Sequence, residues 1–250
     1  MTALRPLLTA LGLLLLWEAV VRLTGVPPFI LPSPASVARA LFARHELLFQ
    51  HALITGAEIL LGLVLGTLVG VLSAVTLAAF AGARRWLLPV LVVSQALPVF
   101  ALAPVLVLWL GYGMASKVAM AVLIIYFPVT LAFYDGLRRT EPGWLELART
   151  MDAPAAAILW RIRVPAALPA LGSGLRVAAS VAPIGAVVGE WVGSSGGLGY
   201  LMLHANARMQ VDLLFAALLV LAVMGLALYF AVDRLLRRTV PWQPQSFLRD

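Results

Sequence analysis

The chain has 250 residues, of which 62% are hydrophobic and only 12% charged, with a formal charge of +7; a soluble domain has roughly a quarter of its residues charged. Too little polar surface remains to cover such a core in water, which excludes an ordinary soluble globular protein and leaves a bilayer as the solvent. Cysteine is absent, which rules out disulfides, thiol catalysis and cysteine-based zinc sites. The arginines cluster beside hydrophobic runs, so membrane topology rather than nucleic acid accounts for the positive charge.

A spanning helix needs ~20 mostly apolar residues, and six runs qualify, which predicts an all-α, polytopic membrane bundle in a single domain over residues 1–250. The first run, Pro6–Leu23, imitates a signal peptide, but Glu18, Val20, Val21 and Arg22 follow in place of a small-residue cleavage pattern, so it is read as a retained helix. Leu31-Pro32-Ser33-Pro34 then opens a short helix: Ser33 is placed to cap it and Pro34 suits its first position. Val37, Leu41, Phe42 and Leu48 are expected to share its apolar face, with Arg39 and Arg44 elsewhere, as in an interfacial helix. The second run, about Ala52–Phe80, carries Gly62, Gly66 and Gly70 at four-residue spacing, a flat stripe for close approach of another helix, within the subunit or between subunits.

The third run, Trp86–Leu110, contains Pro89, Pro98 and Pro104, and both Pro98 and Pro104 are expected to kink it. Broken membrane helices face protein or a water-filled cavity, which makes Ser94, Gln95 and Pro98 candidates for a translocation path, with Tyr126 facing them from the fourth run, Ser116–Tyr134. Between that run and the fifth, Ala167–Gly189, lies a loop of about thirty residues, 137–166. It reads as two short helices broken at Asp152, with Leu145, Ala148 and Met151 on one face of the first, Asp152 capping the second, and Pro165 ending it. Glu190 and Trp191 close the fifth run before the glycine-rich stretch Gly193–Gly199 and are candidates for a gate. The sixth run is Val211–Arg234. With a cytoplasmic N-terminus, twelve Lys or Arg fall inside and five outside, Lys117 among the latter, so the positive-inside rule puts both termini and the long loop in the cytoplasm.

The loop Glu146–Pro165 resembles the EAA loop of permease subunits of bacterial ABC importers. Glu146, Ala148, Ile162 and Pro165 match in register, whereas Leu147, Val164 and Asp152 replace Ala, Leu and Gly; Asp tolerates the left-handed turn that the Gly makes. The resemblance extends through Leu31–Pro34, Ser94–Pro98, Ala103–Gly113 and Gly189–Gly193 to the group serving nitrate, sulfonate, taurine and thiamine-precursor uptake. It implies a homodimeric permease of the bacterial inner membrane, working by alternating access and importing a thiamine pyrimidine precursor or a sulfonate- or nitrate-type solute. It also implies an ATPase subunit, which holds the ATP and Mg and docks on the loop with Glu146 and Arg149 at the rim, and a periplasmic or lipid-anchored binding protein. No G-x-x-x-x-G-K-[ST] occurs, so this chain cradles no nucleotide itself and no cofactor or metal is expected on it. Two other classes fit parts of the sequence: an ion-driven secondary transporter, and an intramembrane serine protease suggested by Gly193-Ser194-Ser195-Gly196. The protease lacks a histidine within a hydrophobic run to serve as its base.

Overall fold

The computed structural model describes residues 4–242, the side chains from residue 8 onward. Arg249 and the Arg5 side chain, both used in the charge count, lie outside the described residues. Eleven α-helices follow one another among the described residues. They are α1 (Leu4–Thr24), α2 (Pro34–Ala43), α3 (His45–Ala79), α4 (Ala81–Ser94), α5 (Ala103–Leu110), α6 (Met114–Arg138), α7 (Pro142–Thr150), α8 (Ala155–Ile158), α9 (Val164–Gly193), α10 (Leu198–Ala207) and α11 (Val211–Thr239). By length and apolarity α3, α6, the continuous stretch Ala155–Gly193 and α11 can each cross a membrane, and the bent pair 81–110 counts as a fifth if its two arms form one broken span. The first run folds as the 21-residue α1 with leucines exposed along it, so the six runs of the sequence all reappear as helix.

Helix α6 is the axis of the bundle, held between α3 and α9. Small residues set the spacing: a Cβ built on Gly66 would lie 2.8 Å from Ile125 Cγ2 and one on Gly185 2.8 Å from Ala121 Cα. The stripe Gly62, Gly66 and Gly70 is therefore spent on Ala121, Ile125 and Val129 of the same subunit. Without a hydrophobic force between helices in lipid, this close approach supplies much of the association.

Ser33 caps α2 as its sequence suggests, accepting the Ser36 N–H at 3.2 Å, with Pro34 in the first turn. The apolar face is different from the predicted one. Val37, Ala40 and Leu48 are buried against α10 and α11, whereas Phe42 is 76% exposed, because α2 packs on the bundle rather than lying alone at an interface. Trp17 of α1 ties in here, donating Nε1–H to Pro32 O at 3.1 Å.

The third run is not a single kinked span. Helix α4 ends at Ser94, a 3₁₀ turn covers Val99–Leu102, and α5 starts at Ala103, with a bend of 95° between the two arms. The residue before a proline avoids the α conformation, so Leu97-Pro98 forces the stop. Pro89 stays inside α4, and Pro104 sits in the first turn of α5, where its missing N–H costs nothing, so it opens a helix rather than kinking one.

Candidate coupling loop and transport path

The long loop folds as two helical pieces around one tight turn. Helix α7 ends in a paired closure: Asp152 N–H donates to Arg149 O at 3.0 Å and Ala153 N–H to Ala148 O at 3.0 Å, with Asp152 left-handed at φ 53°. These are the two bonds of the Schellman ending, whose left-handed position is usually glycine. Asp152 thus closes the first helix and does not cap the second; the residue preceding α8 is Pro154, without a side-chain cap. Nor does Pro165 stop anything. Helix α8 runs through a π turn at Leu159–Arg163 straight into α9, giving one helical stretch of 39 residues. In the π turn the Val164 N–H reaches back five residues to Leu159 O. That shifted ladder is where a residue without an N–H is accommodated.

The apolar residues of α7 divide between two faces. Ala148 is buried and Leu145 half-buried against the bundle, while Trp144, Leu147 and Met151 are exposed together with Trp160 beyond the turn. The predicted face Leu145–Ala148–Met151 is therefore split: its first two members anchor the loop, and the outward stripe is Trp144, Leu147, Met151 and Trp160. The three- and four-residue spacing of Trp144, Leu147 and Met151 was present in the sequence, but nothing local says which of two apolar faces turns outward. Glu146, Arg149 and Asp152 are exposed beside the stripe, and Ile162 and Pro165 are half-buried.

At the opposite ends of α3, α6 and α9 a polar cluster is sealed inside. Lys117 of α6 lies 2.5 Å from the Glu58 carboxylate of α3, with both side chains nearly or fully buried. Glu58 has no aligned hydrogen-bond donor, so this ammonium is its compensation. Lys117, placed among the external charges by sequence, is thus an internal partner. It also donates to Ser194 Oγ at 3.1 Å. Glu190 is 1% exposed and accepts from the Thr55 hydroxyl at 2.6 Å, Gly199 N–H at 2.5 Å and Tyr200 N–H at 3.2 Å. Thr55 Oγ1 takes Leu198 N–H at 2.8 Å and His51 Nδ1 takes Gly197 N–H at 2.9 Å. Each free N–H at the start of α10 thereby finds a side chain from α3 or α9, the pairing that buried helix ends require. Gly197, at φ 111°, is pressed against the Glu190 carboxyl and leaves no room for a side chain. Glu190 is consequently a tertiary helix cap whose carboxylate points inward; its neighbour Trp191 is exposed. His51 and His204 are bonded to Gly197 N–H and Tyr200 O, so neither ring orients a serine of the 193–196 stretch.

The broken helix lies on the outside of the subunit. Ser94, Gln95 and Pro98 are all exposed, with Ser94 donating to Leu91 O at 2.8 Å, and α4 buries none of its residues. Tyr126 is half-buried and lines a separate cavity of about 250 Å³ with Ser73, Thr76 and Leu91, between α3, α4 and α6. The structure therefore leaves Ser94, Gln95 and Pro98 exposed at the break, puts Tyr126 in a cavity that none of the three lines, and sets Glu190 in the sealed cluster. Arg176, near the other end of α9, pairs with Asp233 of α11 at 2.7 Å.

The chain matches the family of binding-protein-dependent transport system inner membrane components over residues 62–242. It is 60% identical to a probable ABC transporter permease protein of Haemophilus influenzae, over 95% of this chain and 97% of that one. It is 38% identical to the formylaminopyrimidine transport permease protein ThiX of Halalkalibacterium halodurans, over 98% of each. Among solved structures it superposes on a chain of an inward-facing MetNI methionine ABC transporter with a TM-score of 0.68 at 19% identity, covering 78% of this chain and 97% of that one; at this identity the likeness is one of fold.

Proposed function

The chain belongs to the binding-protein-dependent inner membrane permeases of ABC transporters, non-catalytic multi-pass subunits, and from that premise we propose that it is the homodimeric translocation subunit of an ATP-driven importer. The observation that carries this reading is the loop: a turn locked by two backbone bonds, carrying Trp144, Leu147, Met151 and Trp160 on its outer side with Glu146 and Arg149 beside them. An exposed apolar stripe of that size calls for a partner, and the groove of a separate ATPase holding ATP and Mg fits it. A binding protein delivers the solute on the other side of the membrane. The solute is a thiamine pyrimidine precursor, in line with the 38% identical formylaminopyrimidine permease.

A second copy completes the path. Backbone at a helix break is tolerated at membrane depth only where it faces protein or water, and the break at 95–98 faces away from its own subunit. Two such breaks, facing one another, line an opening with Ser94 and Gln95. Partners that bind the outward- and inward-open states unequally then drive alternating access.

Reconstitution with an ATPase subunit and a binding protein that assemble with this chain tests the reading. Hydrolysis should rise when formylaminopyrimidine-loaded binding protein is added, and uptake should stop without the ATPase. Uptake that persists without the ATPase would assign the chain to ion-driven transport. In the same vesicles Gln95→Cys should give disulfide-linked dimers; a product that stays monomeric would remove the break from the subunit interface.

A further inference from the structure

One cavity gathers charged and aromatic groups for which transport coupling has no use. It measures about 220 Å³ and is lined by Arg44, His51, Tyr200, His204, Arg208 and Gln210, among others. Arg44 and Arg208 are exposed, and the arginine ion pairs among the described residues belong to Arg22, Arg176 and Arg237, so these two cations have no carboxylate of their own. His51 accepts the Gly197 N–H at Nδ1, which places its own proton on Nε2 and makes that atom a donor. The Tyr200 ring stands between two imidazoles, 6.0 Å from His51 and 3.9 Å from His204.

Four helix ends meet at this cavity. Arg44 occupies the cap position of the 35-residue α3 and Gln210 that of the 29-residue α11, and neither side chain bonds the first turn. Arg44 is equally the last cap of α2 and Arg208 that of α10, so the negative ends of two short helices meet the positive ends of two long ones here, and the attraction for an anion rests on the arginine side chains. Three carboxylates lie nearby, Glu46, Asp212 and Glu190, and none is in the lining; Asp212 is engaged with Leu213 N–H at 2.9 Å and Glu190 with Thr55 and the first turn of α10. Near the cationic residues in the chain, Phe42, Leu203 and Met209 are exposed apolar side chains.

We infer that this cavity binds a phosphate-type oxyanion, held by Arg44, Arg208 and the His51 Nε2–H, and presented either as the headgroup of an anionic lipid or as a free ion. The site is independent of the importer reading. Exposed apolar residues next to the cations in the chain suit a headgroup, whose acyl chains continue into the bilayer, while inorganic phosphate meets the same donors.

The test uses the full chain in detergent, with the subunits that copurify, and follows its melting by tryptophan fluorescence. The probes are phosphatidylglycerol against phosphatidylcholine in mixed micelles, and inorganic phosphate against chloride at equal ionic strength. Phosphatidylglycerol should raise the melting temperature, and Arg44→Gln/Arg208→Gln should weaken its apparent affinity by at least about tenfold, as loss of two charge-assisted bonds requires. Arg84→Gln/Arg85→Gln, which changes bulk charge equally, should leave it unaltered. A phosphate response with the same arginine dependence assigns a free-ion site, and a response to phosphatidylglycerol alone assigns a headgroup site. Failure of both probes to shift the wild-type chain, or an equal loss in the 84/85 control, overturns the inference. So does a double variant that keeps both responses but loses stimulation by the binding protein, which would give the arginines to protein docking.

Discussion

Glu190 shows how a carboxylate at a membrane helix end can be structural without being idle. It supplies a charge to the first turn of α10 through two N–H groups and is steadied by Thr55, 135 residues earlier in the chain. Hydrogen bonds to a charged group contribute about 1.5–3 kcal/mol each, so Glu190→Gln, which turns the oxygen that accepts the Thr55 hydroxyl into a donor and weakens the bonds from Gly199 and Tyr200 N–H, should lower the melting temperature and loosen α10. Uptake should fall several-fold while basal ATP hydrolysis is unchanged, because the residue lies at the far end of α9 from the coupling loop. Uptake and melting both at wild-type values would show the cap to be dispensable. Sequence placed the carboxylate correctly at a helix end next to glycines, but its partners come from α3 and could not be read locally. Met209 makes a simpler case. It is left-handed at φ 57° and closes α10 by the same two-bond ending, with Met209 N–H to Asn206 O at 3.0 Å and Gln210 N–H to Ala205 O at 2.9 Å. A side chain there costs roughly 1 kcal/mol relative to glycine, so Met209→Gly should raise the melting temperature; a lower one would show that the methionine packs usefully in the assembled transporter.

At the scale of elements, the coupling loop and the broken helix were legible to different depths. Asp152 among small residues and prolines announced a turn, and the turn is there. The continuity of α8 into α9 was hidden, because Pro165 reads as a stop until a π turn is known to precede it. That continuity has a mechanical consequence: a push on α8 is delivered along one helical stretch of 39 residues to Gly193, beside the sealed cluster. The loop transmits such a push only if the ending of α7 is stiff. Asp152→Gly should therefore preserve or slightly increase ATPase binding, since glycine takes the left-handed conformation without strain. Asp152→Val should break the turn, because a β-branched residue resists positive φ, and uptake should fall roughly five- to 150-fold, by the ~1–3 kcal/mol such strain carries. Glu146→Lys, exposed next to the outward stripe, should weaken copurification of the ATPase while the bundle still inserts. Pull-down yield and uptake measured on the three variants decide this; wild-type values for both Asp152→Val and Glu146→Lys would remove the loop from the coupling path.

For the molecule as a whole, the hydrophobic runs were read correctly because apolar length is a property of consecutive residues. The 95° bend and the sealing of Lys117 were not, since they depend on what α3 and α9 bring to the same place. Taking Lys117 out of the external count, and leaving aside Arg5 and Arg249, leaves ten basic residues inside against four outside, so the asymmetry that orients the chain survives. The structure also makes orientation a sharp question. Arg44 and Arg208 line one cavity, so positions 45 and 207 must lie on the same side of the membrane whichever way the protein inserts. Position 84 follows the far end of α3, which at 1.5 Å per residue puts about 50 Å between it and position 45. Position 150 ends α7, beyond the same end of α6. His45, Arg84, Thr150 and Ala207 are all exposed, and the natural chain has no cysteine to confuse the readout. In intact cells an impermeant thiol reagent should label His45→Cys and Ala207→Cys and spare Arg84→Cys and Thr150→Cys until the membrane is opened. The reverse pattern, with 84 and 150 labelled from outside, would place the loop away from any cytoplasmic ATPase and overturn the docking assignment. Unequal behaviour of 45 and 207 would contradict the fold itself, because both positions border one cavity.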